Sequence, residues 1–382
     1  MHIVLDARTA TDHFPGIGRY VFNLARAMAP LLQSDEQLIM LYDPTQTSPW
    51  NLPSLAGAQT RLVEIPVSPF SLRQQWLIPR LLRQLKADVF HSPYYLMPYR
   101  LPIPTLLTVY DLIPLRYPDF FSWSTRQIFR WATALALHTA AHITTISQAT
   151  RSDLLTYYHP HPAKITPIHL AADPNFSPQP PEVVTVLCER LNLPEQYILY
   201  IGSNKPHKNL VRLIEAWAIV NRQSSTPSLR SGASVVNCQL IIAGVWDARY
   251  PQAKTRVKEL GLGATVRFLG PVAEADLPAL YSGAIAFVFP SEYEGFGLPV
   301  LEAMACAAPV ACANTSSLPE VAGPAALYFD PLNVTDLAGA LNGLLGNKDL
   351  QAQLRPQGLH QAAQFSWERA AAQTLALYRE MI

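Results

Sequence analysis

Short strand-like runs alternate with helical patterns along all 382 residues, which restricts the chain to α/β folds built on parallel sheets. Residues 3–5, 87–90, 105–110 and 142–146 read as strands in the first half. Residues 197–201, 239–243, 266–269, 284–289, 310–313 and 326–329 read as strands in the second. Helical spacing fills the gaps. Val21, Leu24 and Met28 share one face after the first strand, and Leu210, Leu213, Ile214 and Trp217 share another. Residues 123–140 and 148–157 read as helices, the second capped by Ser147. Residues 367–381 form an amphipathic pattern at the end of the chain.

A chain of this length exceeds one ordinary core. The stretch 173–194 carries Pro174, Pro178, Pro180, Pro181 and Pro194 and reads as a linker. The expected architecture is α/β, with two Rossmann-like doubly wound parallel-sheet domains, 1–172 and 195–365, facing a cleft. The polar stretch 224–234 reads as a surface loop. A net charge of +1 provides no global field to recruit nucleic acid. Cys188, Cys238, Cys306 and Cys312 lack C-x-x-C spacing and read as reduced thiols. No secretory leader pattern and no uninterrupted apolar run of ~18 residues appears, so a cytoplasmic location is expected.

The most specific segment is S-E-Y-E-G-F-G-L-P-V-L-E, residues 291–302. It follows a strand-like run and places Glu294 and Glu302 around a glycine turn, with Pro299 at a helix start. Backbone N–H groups of Phe296, Gly297 and Leu298 are expected to face outward at the positive end of that helix, a site for phosphate. A carboxylate beside it suits a sugar diol, because it accepts two hydrogen bonds. A phosphate cradle with diol grippers points to a nucleotide sugar. No D-x-D and no His/Cys cluster with metal spacing occurs, so no cofactor and no metal is expected.

With F-P-G-I-G-R-Y (14–20) and G-S-N-K-P-H-K-N (202–209), this segment resembles family 4 of the retaining GT-B glycosyltransferases, the mannosyltransferase-like group 1. Softer matches are V-Y-D-L-I-P-L-R-Y-P (109–118), F-L-G (268–270), S-L-P-E-V-A-G (317–323) and F-S-W-E (365–368). The resemblance runs in order over nearly the whole chain. It implies a metal-independent hexosyltransferase that moves a sugar from a nucleoside diphosphate donor to a hydroxyl of a saccharide or lipid-linked acceptor. GDP-mannose is the favoured donor and UDP-glucose the next. It also implies that the last helix, 366–382, packs back on the N-terminal domain.

The resemblance assigns catalytic roles to Glu294, Lys208 and Asp111. Glu294 would grip the donor sugar, and Lys208 would meet the departing diphosphate. Glu302 would hold the ribose diol. Ser203, Asn204 and Lys205 would also bind the donor: many members carry an arginine where this chain has Ser203 and Asn204, and Lys205 would supply that charge. Phe268 and Leu269 would lie beside the base. Gly16 and Gly18 would bring the N-terminal loop over the diphosphate, using positive φ and close backbone approach. Arg19, His91 and Tyr110 fall on the acceptor side. Tyr110 stands where many members have histidine, and His91 is a candidate to cover that role. Glu292 does not fit the spacing and reads as a solvated acid. Trp76, Trp123 and the pair Phe120 and Phe121 read as core or cleft-lining residues, with peripheral contact at the inner face of a membrane left open. The alternatives are a silent sugar-nucleotide-binding protein and a nucleotide-sugar 2-epimerase of the same fold. A dehydrogenase is disfavoured, because the first turn lacks G-x-G-x-x-G.

Overall fold

The structure is a computed structural model that describes residues 1–224 and 238–382. Beyond Ser224, the polar stretch read as a surface loop lies outside the described residues. Two compact units divide the chain: Met1–Leu170 with Ser366–Ile382, and Ala171–Phe365.

The first unit is built on seven strands: β1 (His2–Asp6), β2 (Gln37–Tyr42), β3 (Thr60–Glu64), β4 (Val89–Ser92), β5 (Thr105–Val109), β6 (His142–Thr145) and β7 (Ile165–Pro167). Their order is β3-β2-β1-β4-β5-β6-β7, with every neighbouring pair parallel. Ile3 sits between Leu38 and Val89 in register. All residues of β4 and β5 are buried, as expected where helices cover both faces of a parallel sheet.

The second unit holds β8 (Gln196–Ile201), β9 (Cys238–Ala243), β10 (Val266–Gly270), β11 (Ala286–Phe289), β12 (Val310–Ala313) and β13 (Ala326–Phe329). Their order, β10-β9-β8-β11-β12-β13, is again parallel throughout. In each sheet the strand order reverses next to the first strand, between β1 and β4 and between β8 and β11. Those reversals open the crevices where ligands of doubly wound sheets bind.

β2, β3 and β7 were not anticipated. The β2 run Q-L-I-M-L-Y is apolar without alternation, so periodicity alone does not separate it from buried helix. β7 is a three-residue edge strand ending on Pro167, a position where a missing N–H costs nothing.

The stretch 173–194 departs from its reading as a linker. It contains the helix Pro181–Arg190, which packs on Leu277–Ser282 inside the second unit. Pro180 and Pro181 occupy its N-cap and first turn, where proline starts a helix rather than breaking one.

The last helix, Trp367–Glu380, is capped by Ser366 and packs along the helix Pro15–Met28. Arg379 grips Glu36 through two hydrogen bonds of 2.8 Å. A second ion pair lies deeper in the first unit. Arg8, 1% exposed as a residue, donates through its guanidinium to both carboxylate oxygens of Asp6 and to the Val67 carbonyl and the Gln74 amide oxygen.

Candidate functional site

The loops leaving β8 and β11 flank the strand reversal of the second unit, and they carry the charges singled out in the sequence. After β8 the chain makes a tight turn, Pro206–Lys208, that ends on Asn209 with φ of 61°. Asparagine tolerates this left-handed conformation better than most residues. The Asn209 amide donates to the Pro290 and Pro331 carbonyls, 3.1 and 2.7 Å away, tying the loops after β8, β11 and β13 together. This clamp sets the direction of Lys208. Its Nζ lies 2.6 Å from Glu294 Oε1 and 5.5 Å from the centre of the Phe289 ring. Both partners keep a little exposure, 18% and 12% of their side chains, so the pair is open to a ligand on one side.

A second pair lies beside the first. Arg212, in the first turn of the helix Leu210–Ser224, reaches Glu292 at 2.5 Å and the Asn209 side-chain oxygen at 2.9 Å. Glu292 is therefore not the solvated acid of the sequence reading, and its backbone N–H also donates to the His207 carbonyl. Arg212 was missed, because the left-handed Asn209 breaks the helix between it and Lys208 and no spacing rule links the two. Burial first, and then the charge of Lys208, pushes the His207 imidazole down to about 4, so it stays neutral near pH 7.

The glycine turn is held from beneath. The Ser317 hydroxyl donates to the carbonyls of Glu294 and Phe296, and the Ser316 hydroxyl accepts from Glu294 N–H. Gly297 has φ of 103° and caps the helix Leu298–Ala305; a Cβ there would stand 2.7 Å from Leu318 Cδ2. Glycine is thus required by conformation, while the Leu318 side chain limits the space. The Phe296 ring is buried against Phe365, which leaves its backbone for any ligand role. Glu302 is 3% exposed and accepts a 3.0 Å hydrogen bond from the Tyr281 hydroxyl.

A cavity of about 210 Å³ opens near the ends of β9 and β10, lined by Asn204, Trp246, Lys254, Phe268 and Leu269 among others. Lys254 Nζ lies 4.3 Å from the Trp246 ring centre, and Trp246 meets Phe268 edge-on at 5.3 Å. Trp246 and Lys254 were not anticipated. Asn204 departs from its expected role as a phosphate contact. Its amide is consumed inside the fold, donating to the Asp247 and Tyr250 carbonyls and accepting from Asp247 N–H. Ser203 is half-buried and its carbonyl accepts from Tyr200, while Lys205 is exposed.

In the first unit the expected glycine turn is helix instead. Gly16, Gly18 and Arg19 lie in the opening turns of Pro15–Met28, and neither glycine has positive φ. Pro15 favours the helix start. A Cβ on Gly18 would collide with the Trp50 indole, so close packing is what this position requires. Gly16 faces open space and Arg19 is half-buried. Ile17, Tyr110 and Asp111 line a cavity of about 240 Å³ with Tyr94, Tyr95 and Phe129. Asp111 Oδ1 accepts from Ile113 N–H, which orients the carboxylate. The Tyr110 ring stacks edge-on against Tyr20, and its buried hydroxyl has no hydrogen-bond partner among the described residues.

His91 is not on an acceptor surface. It is 0% exposed, bonded to the Tyr378 hydroxyl at 2.6 Å and to Thr108 Oγ1 at 2.7 Å. Burial lowers its imidazole to about 3, so it serves the core as a neutral link between sheet and last helix. Among the described residues no group of three or more His, Cys, Asp or Glu side chains is placed to hold a metal ion. Among them, too, no helix is long and apolar enough to cross a membrane.

Comparison with known proteins adds to this geometry. The family model Glycosyltransferase Family 4 matches residues 15–176, and the model Glycosyl transferases group 1 matches residues 189–361. The chain is 29% identical over 398 aligned positions to the O-antigen chain mannosyltransferase B of Escherichia coli, covering 99% of this chain and 100% of that one. Its fold resembles sucrose-phosphate synthase of Thermosynechococcus elongatus, with a TM-score of 0.76, 22% identity, and 100% and 98% of the two chains covered. It also resembles HepE of Anabaena in complex with UDP-glucose, with a TM-score of 0.76, 18% identity, and 100% of both chains covered.

Proposed function

Because the chain belongs to family 4 of the glycosyltransferases and has the GT-B fold, we propose that it transfers a hexose, with retention at the anomeric carbon and without a metal, from a nucleoside diphosphate sugar to a saccharide hydroxyl. The observation that carries this reading is the contact of Lys208 with Glu294 at the strand reversal of the second unit. As the glycosidic bond breaks, negative charge builds on the leaving diphosphate. A lysine beside it stabilises the transition state more than the ground state, which is the work a divalent cation would otherwise do. Arg212, paired with Glu292, lies in the helix that follows. Glu294 accepts hydrogen bonds from sugar hydroxyls and offsets charge developing on the ring.

Donor recognition divides along the second unit. The helix that begins at Leu298 offers its N-terminus to the diphosphate. Glu302 takes the ribose diol once Tyr281 shares it. The cavity of Phe268 and Leu269 receives the base, with Trp246 as an aromatic wall. In the first unit Asp111 and Tyr110 face the acceptor. A GDP-mannose donor is favoured by the likeness to the Escherichia coli mannosyltransferase.

The test incubates the protein with GDP-mannose or UDP-glucose and a panel of mannose-terminated saccharides in EDTA, and follows the new glycosidic bond by proton NMR. The expected product keeps the donor's anomeric configuration. An inverted product, or transfer abolished by EDTA and restored by Mg²⁺, overturns the mechanism.

A further inference from the structure

The first unit carries an apolar and basic face that its own packing leaves uncovered. The crossovers β3 to β4 and β5 to β6 run the same way across the sheet, so right-handed connections put the helices Gln74–Gln84 and Trp123–Thr139 on one side of it. The loop after β4 bridges them. Gln75 bonds to the backbone of Met97 and Tyr99, and Thr139 bonds to the Tyr99 carbonyl.

Both helices turn large side chains outward. Around the first, Phe70, Leu72 and Trp76 are exposed. On the second, Ile128, Trp131 and Leu135 form an outward stripe at i, i+3 and i+7, beside Trp123 and opposite the buried face of Phe129, Ala132 and Ala136. These seven are among sixteen exposed large hydrophobics in the described residues. Trp76, Trp123 and Trp131 are 69%, 71% and 67% exposed, so the sequence reading of Trp76 and Trp123 as core or cleft lining does not hold. The physical reason is that both helices are apolar on two faces, and the sheet can cover only one.

The charge on this face is one-sided. Residues 69–86 contain Arg73, Arg80, Arg83 and Lys86, and residues 120–140 contain Arg126 and Arg130; neither stretch has an aspartate or glutamate. Trp76, Arg80 and Arg83 follow one another at i, i+4 and i+7, on the same side of their helix. In a chain of net charge +1 this is a local concentration of positive charge.

We propose that this face docks on an anionic lipid surface. Tryptophan favours the boundary between headgroup and hydrocarbon, and arginine is drawn to acidic headgroups. A second copy of the chain fits worse, because a two-fold contact would set these arginines against their own copies. The proposal stands on the first unit alone and does not rest on the transfer reaction.

The test sediments the full chain with phosphatidylcholine vesicles, with and without phosphatidylglycerol, at low and high salt. Binding is expected only to the anionic vesicles, with release by salt and a blue shift of tryptophan emission. Arg80→Glu with Arg83→Glu is expected to weaken binding more than about tenfold. Trp123→Ser with Trp131→Ser is expected to weaken it as well. All four side chains are substantially exposed or solvent-facing, so thermal unfolding of the variants should match the parent. Failure to bind anionic vesicles, or binding that both variants keep, overturns the proposal. So does a concentration-dependent dimer that the tryptophan variant dissolves. Nucleotide binding measured without lipid should be the same in all variants, which separates this outcome from failure of the transferase reading.

Discussion

Lys208→Ala is expected to lower kcat by about 10²–10³-fold, the usual effect of removing one preorganised group aimed at developing negative charge. The folded protein should be little affected, because Lys208 sits in a loop and keeps part of its surface in solvent. Glu294→Ala should also cost kcat heavily with the fold intact. The two losses should not add. With Nζ and Oε1 2.6 Å apart, each group orients the other, and the double variant should be little worse than the poorer single one. The pairing also makes a sharper distinction. Glu294 competes with diphosphate for the Lys208 ammonium, so Glu294→Gln should bind free nucleoside diphosphate more tightly while turning over more slowly. Steady-state kinetics with nucleotide inhibition measures both. Near-normal turnover in Lys208→Ala would remove the assignment.

Asp6→Ala is expected to destabilise the first unit by about 3–5 kcal/mol, the typical cost of stranding one partner of a buried ion pair. Arg8 has no exposed side-chain surface, and among the described residues Asp6 alone gives it a carboxylate. Its remaining contacts, the Val67 carbonyl and the Gln74 amide, are neutral. Removing both charges together, as Asp6→Ala with Arg8→Met, should recover much of the loss, since the desolvated cation goes with its partner. Urea unfolding midpoints of the three variants test this. A single-variant loss below about 1 kcal/mol would mean that water reaches Arg8 after all.

The parts of the fold written locally were legible. Val21, Leu24 and Met28 are all fully buried, as their spacing required, and Ser147 caps its helix by accepting from Thr150 N–H. The turn at Gly297 was also local information, since its glycine, its following proline and its acid lie within a few residues. What was not legible depends on partners far along the chain. Gly18 looks like a ligand-approach glycine until Trp50 is placed over it. Asn204 looks like a phosphate contact until the backbone of Asp247 and Tyr250 takes its amide. His91 reads as a strand-end histidine near a site, and only Tyr378, from the last helix, shows it to be a core link. The Lys208–Glu294 contact spans 86 positions; each residue was marked by its own motif, but their direct pairing was not. The exposed tryptophans illustrate the converse. An apolar helix face is assigned to the core by habit, and only the sheet shows that the core was already filled.

The most direct test of the central claim is a calorimetric titration of GDP, UDP and ADP against the parent protein and Lys208→Ala, all in EDTA. The account predicts that one nucleotide binds clearly tighter than the others without metal, and that its affinity drops in Lys208→Ala. Absence of binding by all three, or binding that appears only with Mg²⁺ and ignores Lys208, would contradict it.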